Sequence, residues 1–183
     1  MKVKSAKNWV KVLIGLGILI RLYQYFVNRS LYHDEALLAR NINDLSFSEL
    51  TGVLEFNQAA PFGFLWITKL IVNLFSDIEY SFRLIPLLAG IASIFLFYMI
   101  LKHFFKSPFL LIALAFVVFN NNLIFYSISF KQYGIDVFVG LLISYGFLKI
   151  WKEELTQKQL GLWTIIGAFL IYFSQPSIFF LAS

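Results

Sequence analysis

Apolar side chains run in long blocks along this chain, separated by short charged segments. The first block covers 9–27 and is led by Lys2, Lys4, Lys7 and Lys11. Further blocks lie at 80–101, 109 to about 126, 135–150, and 162 to the end. Uninterrupted apolar runs of this length predict helices that cross a bilayer. The first is a signal-like segment without a small-residue cleavage site, and Arg21-Leu22-Tyr23 continues its helix, so it reads as an uncleaved anchor. Residues 28–57 are polar instead and hold most of the acids. Helix punctuation agrees with these limits. Ser46-Phe47-Ser48-Glu49 and Ser76-Asp77-Ile78-Glu79 have the form of capping boxes, in which a hydroxyl and a carboxylate satisfy the first backbone N–H groups. Ser107-Pro108 predicts a cap followed by proline at the first helical position, and Pro86 predicts a kink inside its block.

The stretch 61–75 is ambiguous by pattern alone. As a helix it would rise roughly 22 Å, short of a hydrocarbon core roughly 30 Å thick. It carries Thr68, Lys69 and Asn73, the last two four apart on one face, so an interfacial helix fits better than a span. Charge placement supports that choice. With the amino terminus in the cytoplasm and 61–75 on the surface, Lys2, Lys4, Lys7, Lys11, Lys102, Lys106, Lys149, Lys152 and Lys158 are all cytoplasmic. Arg21, Arg29, Arg40, Lys69, Arg83 and Lys131 then lie at or beyond the outer face. Making 61–75 a span would move the last five of those lysines outside, against the positive-inside rule. It would also leave Lys69 in hydrocarbon, at a cost of about 2.5–3.5 kcal/mol.

The expected architecture is therefore an all-α, polytopic transmembrane helical bundle. It has about five spans, at about 9–27, 80–102, 108–126, 134–151 and 161–181, and an outer loop at 28–79 with interfacial helices. Composition changes the picture little. Of 183 residues, 60% are hydrophobic and 14% charged, with mean hydropathy +0.77. A soluble domain carries about 25% charged residues, so this chain lacks the polar cover to dissolve. The net charge of +5 belongs to loop ends that orient a membrane protein and forms no nucleic-acid patch. There is no cysteine, which excludes disulfides and thiolate metal sites.

Two segments could carry chemistry. Asp34 and Glu35 are adjacent carboxylates a few residues beyond the first span. On a helix they point about 100° apart, and Asp34 would share a face with Leu38 and Asn41. A partly desolvated carboxylate there can act as a base. The plainer alternative is that both acids stabilise a helix amino terminus through its dipole. His33 has no second histidine on its side of the membrane and reads as a loop or cap residue, and His103 marks the cytoplasmic end. The second segment is Tyr126-Ser127-Ile128-Ser129-Phe130-Lys131-Gln132-Tyr133-Gly134-Ile135-Asp136. Its Lys131, Gln132, Tyr133 and Asp136 could hold an anionic headgroup such as a phosphate, or could simply anchor the chain at the interface. Asp136 is harder to set aside, since it opens an otherwise apolar helix.

Taken in order, several features resemble the C-type (GT-C) glycosyltransferases. They are Asp34-Glu35 after the first span, a Pro61-led amphipathic helix, Ser81-Phe82-Arg83-Leu84-Ile85-Pro86 opening the next span, and the 126–136 segment. The nearest likeness is to glycosyltransferase family 39, with its protein O-mannosyltransferases and the aminoarabinose transferases that modify lipid A. The resemblance implies transfer of a sugar from a polyprenyl-phosphate carrier to a lipid, glycan or protein acceptor, at the outer face of a bacterial plasma membrane. It implies Asp34 as the base that deprotonates the acceptor, with inversion, and Glu35 as support for the pocket. Arg83 and Lys131 are its candidates for neutralising the departing phosphate, and a divalent metal ion is an open question. Relatives commonly carry His-Pro-Pro or Glu-Lys-Pro where this chain has Gln58-Ala59-Ala60-Pro61, and many carry a glutamate where Ser129 stands. Family members are also longer, so the resemblance makes the chain an amino-terminal portion of such a module, and leaves open whether it is active alone. The runner-up is a transporter or flippase of lipid-linked sugars, which would show internal repeats and broken helices. A non-catalytic membrane subunit is the third reading.

Overall fold

A computed structural model of the chain describes residues 3–75, 78–151 and 156–182. Ser76 and Asp77 of the expected capping box lie outside these residues, as do Lys2, Lys152, Glu153 and Glu154. Among the described residues the structure is all-helical, without strands. Helix α1 spans Val3–Val27, α2 His33–Asp44, α3 Phe62–Leu74, α4 Ile78–Phe104 and α5 Phe109–Val118. Then follow α6 at Asn121–Tyr126, α7 at Tyr133–Ile150, α8 at Gln157–Ile171 and α9 at Ser177–Ala182. Three of these contain segments long and apolar enough to cross a membrane: Lys7–Val27, Glu79–Phe104 and Tyr133–Ile150. Their outward faces carry exposed Leu19, Phe95 and Phe147, side chains that suit lipid contact.

The other two apolar blocks depart from the expected spans. The block at 108–126 is not one helix. Phe119 ends α5, and the Asn120 side chain accepts a bond from Leu123 N (3.1 Å), capping a separate α6. Asparagine favours such caps because its short carbonyl reaches the free N–H groups. At ten residues, α5 rises roughly 15 Å, half the hydrocarbon thickness. The block at 161–181 divides likewise, into α8 and α9. Pro176, just before α9, lacks the N–H needed to continue the preceding helix. In contrast, α4 runs on through Pro86. At the start of α5, Pro108 is the cap residue, one position before the first helical residue expected for it. The segment at 61–75 is a short apolar helix, α3.

Two packed regions hold the bundle together. One joins α1, α4 and α5 through Val10, Ile94, Leu101, Leu110, Leu114 and Val118. The other gathers α2, α3, α4 and α7 around Leu38, Ile42, Phe64, Phe82, Phe130 and Ile135. Phe130, from the loop before α7, stacks on Phe82 at 4.6 Å and meets Phe64 at 5.6 Å. The contact between α4 and α7 is the most extensive in the molecule. Close approach of α4 to the end of α6 needs glycine: a Cβ on Gly90 would sit 2.2 Å from Ser127 Cβ. Gly63 similarly lets α3 meet the end of α8, where its N–H donates to Tyr172 O (2.8 Å). Arg21 stands inside the first apolar block, as its sequence position requires. It lies within α1 and is 1% exposed, a burial that its place in the sequence did not show.

Candidate functional site

Helix α2 begins where the two acids stand, and the helix start separates them. The Glu35 carboxylate turns back and accepts from the N–H of the cap residue Tyr32 (2.9 Å). It also receives both Arg29 Nη atoms, at 2.8 and 2.9 Å, and the N–H of Phe130 at 2.7 Å. With Glu35 2% exposed, all of its acceptor capacity is spent inside the protein. Its role is to position: it ties the start of α2 to the loop before α7. Arg29 completes the joint by stacking over the Tyr32 ring (4.0 Å) and donating to Ser129 Oγ (3.2 Å). The helix-terminus alternative thus describes Glu35 well, with an added tertiary bond that spacing could not reveal.

Arg83 also differs from expectation. It is 1% exposed, and its fork donates to Asn28 Oδ1 (2.6 Å) and to the carbonyl of Arg29. Asn28 has φ of 46°, so the chain turns sharply between α1 and α2, and Arg83 holds that turn. A guanidinium committed in this way clamps the backbone and does not face the groove described next. Arg29 and Asn28 were not singled out in the sequence. The signal for Arg29 was its spacing of six from a carboxylate, which alone means little.

Asp34 points the other way, into an open groove of about 410 Å³. His33, Leu37, Phe56, Asn57, Gln58 and Ala59 line it together with Lys131, Gln132 and Tyr133. Three of the residues singled out in 126–136 therefore line one groove with Asp34. Asp136 does not line it: it lies in the first turn of α7, with Oδ1 buried and lacking a hydrogen bond. Leu38 and Asn41 do not share the exposed face of Asp34 either. Both are buried, and Asn41 bonds Glu55 N (2.8 Å) and Glu55 O (3.3 Å) to hold the loop ahead of the groove. That loop places Phe56 and Asn57 at φ of 59° and 53°, the left-handed region that side chains other than glycine rarely adopt. Such conformations concentrate at functional sites.

Within the groove, Asp34 is exposed and, among the described residues, makes neither a hydrogen bond nor an ion pair. Lys131 Nζ donates to Gln58 Oε1 at 2.7 Å. Burial pushes the Lys131 ammonium below the usual lysine range, and the negative charges of Asp34 and Glu35 partly restore it. The arrangement presents one free carboxylate opposite one cation, both reachable from solvent. A divalent ion does not fit the donor set. Among the described residues no three His, Asp or Glu side chains gather, and the groove offers only His33 and Asp34, facing a lysine. Gln58 and Ala59 also wall a second, larger cavity of about 580 Å³, bounded beyond them by Tyr172, Gln175 and Ile178.

The chain matches no family model, no curated protein and no solved structure.

Proposed function

We propose that the chain forms the amino-terminal part of a C-type glycosyltransferase, similar to family 39, that uses a polyprenyl-phosphate sugar at the outer face of a membrane. The observation that carries this reading is the groove itself, in which a lone unpartnered carboxylate, Asp34, stands opposite the Lys131 cation. In the reaction, the Asp34 carboxylate takes the proton of the acceptor hydroxyl as its oxygen attacks the anomeric carbon. The bond from that carbon to the carrier phosphate breaks, the phosphate leaves with the electron pair, and the configuration inverts. Lys131 stabilises the charge that gathers on the departing phosphate, an electrostatic role that strengthens where water is excluded. Glu35, Arg29 and Arg83 hold the groove's two sides in register and touch neither reactant. The acceptor is a lipid, glycan or protein hydroxyl, and the site is extracytoplasmic, with the amino terminus in the cytoplasm of a bacterial inner membrane.

One observation favours the second reading, a transporter or flippase of lipid-linked sugars. Two apolar blocks are broken, at Asn120 and at 172–176, and discontinuous helices are common in transporters. The sequence, however, has no internal repeat to match them. The test is Asp34→Asn in the full-length protein, with sugar transfer measured from a polyprenyl-phosphate donor. Loss of transfer by about 10²–10⁴-fold supports the base assignment. Unchanged transfer removes it, and intact movement of the lipid-linked sugar without any transferase activity supports the transporter.

A further inference from the structure

A second charged site lies inside the bundle, apart from the groove. Arg21 sits on α1 about 9 Å before the helix ends at Val27. Among the described residues its one hydrogen bond is from Nη1 to the Gly17 carbonyl (3.1 Å), and its buried Nε has no partner. Among the described residues the ion pairs are Arg29–Glu35 and Arg40–Asp44, so Arg21 has no carboxylate. A single neutral carbonyl does not offset the loss of water around a guanidinium. A cavity of about 130 Å³ opens beside it. Gly90 and Ser93 of α4, Val117 of α5, Tyr126 of α6 and Val137 of α7 help to wall it. The hydroxyls of Ser93 and Ser127 donate to the carbonyls of Ala89 and Ile124, and among the described residues Arg21 is the one basic side chain on a mostly apolar wall.

We infer that this cavity is an anion site that takes the phosphate group of a phosphate ester, held by the Arg21 fork. The cavity is roughly ten times what one water needs, so a tetrahedral oxyanion fits with room for the first carbons attached to it. A planar guanidinium matches phosphate oxygens two at a time, and the apolar wall suits hydrocarbon better than a hydrated ion. No residue of this wall is shared with the Asp34 groove, so the inference stands independently of sugar transfer. Phosphate could arrive as the headgroup of an amphiphile or as the free ion, and the same experiment separates them.

The test is thermal unfolding of the purified full chain in non-ionic maltoside micelles at constant ionic strength. Decyl phosphate, inorganic phosphate and sodium chloride are added in parallel. At a hundredfold excess over Kd, a ligand that binds only the folded state should raise the midpoint by about 5–10 °C. A rise with decyl phosphate alone identifies an amphiphile headgroup, and equal rises with both phosphates identify the free ion. Arg21→Met should abolish the rise. Ser93→Leu, which fills the cavity and keeps the charge, should do the same and decides the matter if Arg21→Met does not fold. Asp34→Asn should keep the full rise, whatever it does to sugar transfer. No rise with either phosphate, an equal rise with chloride, or an undiminished rise in Arg21→Met overturns the inference.

Discussion

Asp34 and Glu35 are neighbours in the chain and belong to opposite kinds of region. Glu35 sits in a closed joint, 2% exposed, with four donors around its two oxygens. Asp34 sits in an open groove with none among the described residues. The helix start creates the difference. Residues one apart on α2 point about 100° from each other, so when Glu35 turns inward to the cap and to Phe130, Asp34 must face out. A buried carboxylate with all its bonds made is a structural part, and removing it exposes its partners to a loss they cannot recover. An accessible carboxylate with no bonds made is chemically available. The pair thus separates stability from reactivity within two consecutive positions.

Substitution should separate them too. Asp34→Asn keeps shape and removes the base, and its largest effect should be on sugar transfer. A loss of about 10²–10⁴-fold corresponds to about 2.7–5.4 kcal/mol of barrier, with the unfolding midpoint nearly unchanged. Glu35→Ala should do the reverse as its primary effect. It takes the carboxylate from the Arg29 guanidinium and the acceptor from the Phe130 N–H, and a loss of about 3 kcal/mol in folding stability is expected. Arg29 keeps some contact with solvent, which holds the loss at the low end for a broken buried pair. Denaturant titration of the two variants in detergent checks the contrast. If Asp34→Asn proves the more destabilised of the two, the division between joint and groove is wrong.

A smaller effect comes from the helix break that apolar pattern alone did not show. Asn120→Ala removes the side-chain bond to Leu123 N at the start of α6, and about 1 kcal/mol of stability should go with it. This residue also shows what could be read from the chain. Long apolar blocks predict helices dependably, and three of them are present as helices of spanning length. Block length hides a break, however, because hydropathy averages over Asn120-Asn121-Asn122, whereas a cap depends on one side chain at one position. The Ser46–Glu49 bonds were legible because both partners are local, and they are present: Ser46 N and Oγ both donate to Glu49 Oε2 at 2.7 Å, although the short 3-10 helix that follows, Glu49–Thr51, takes Ser48 as its cap residue. The joint at Glu35 was legible only by half. Its bond to the cap residue follows from a spacing of three, while its bond to Phe130 crosses 95 positions. Arg83 was misplaced for the same reason, since nothing near it in the chain announces that it will clamp Asn28.

The smallest effect sharpens the comparison most directly, because it reads whether the groove's two sides face each other in solution. Lys131 has its pKa lowered by burial, with Asp34 and then Glu35 acting against that shift. Between the lowered value and the ordinary lysine value near 10.4, the unfolded chain holds a proton that the folded chain has released. Stability should therefore rise with pH through that window, by a small amount because Lys131 is only partly buried. Asp34→Asn removes the larger of the two opposing attractions, so the Lys131 pKa should fall further and the window should widen downward. Replacing Asp44, whose partner is Arg40, should leave it where it is. Titration of the Lys131 side chain by NMR, with lysine labelled at its terminal carbon and Lys131→Arg for assignment, reads the shift. A Lys131 pKa that ignores Asp34 would place the carboxylate and the cation in separate sites, and the groove would lose the opposed charges on which transfer depends.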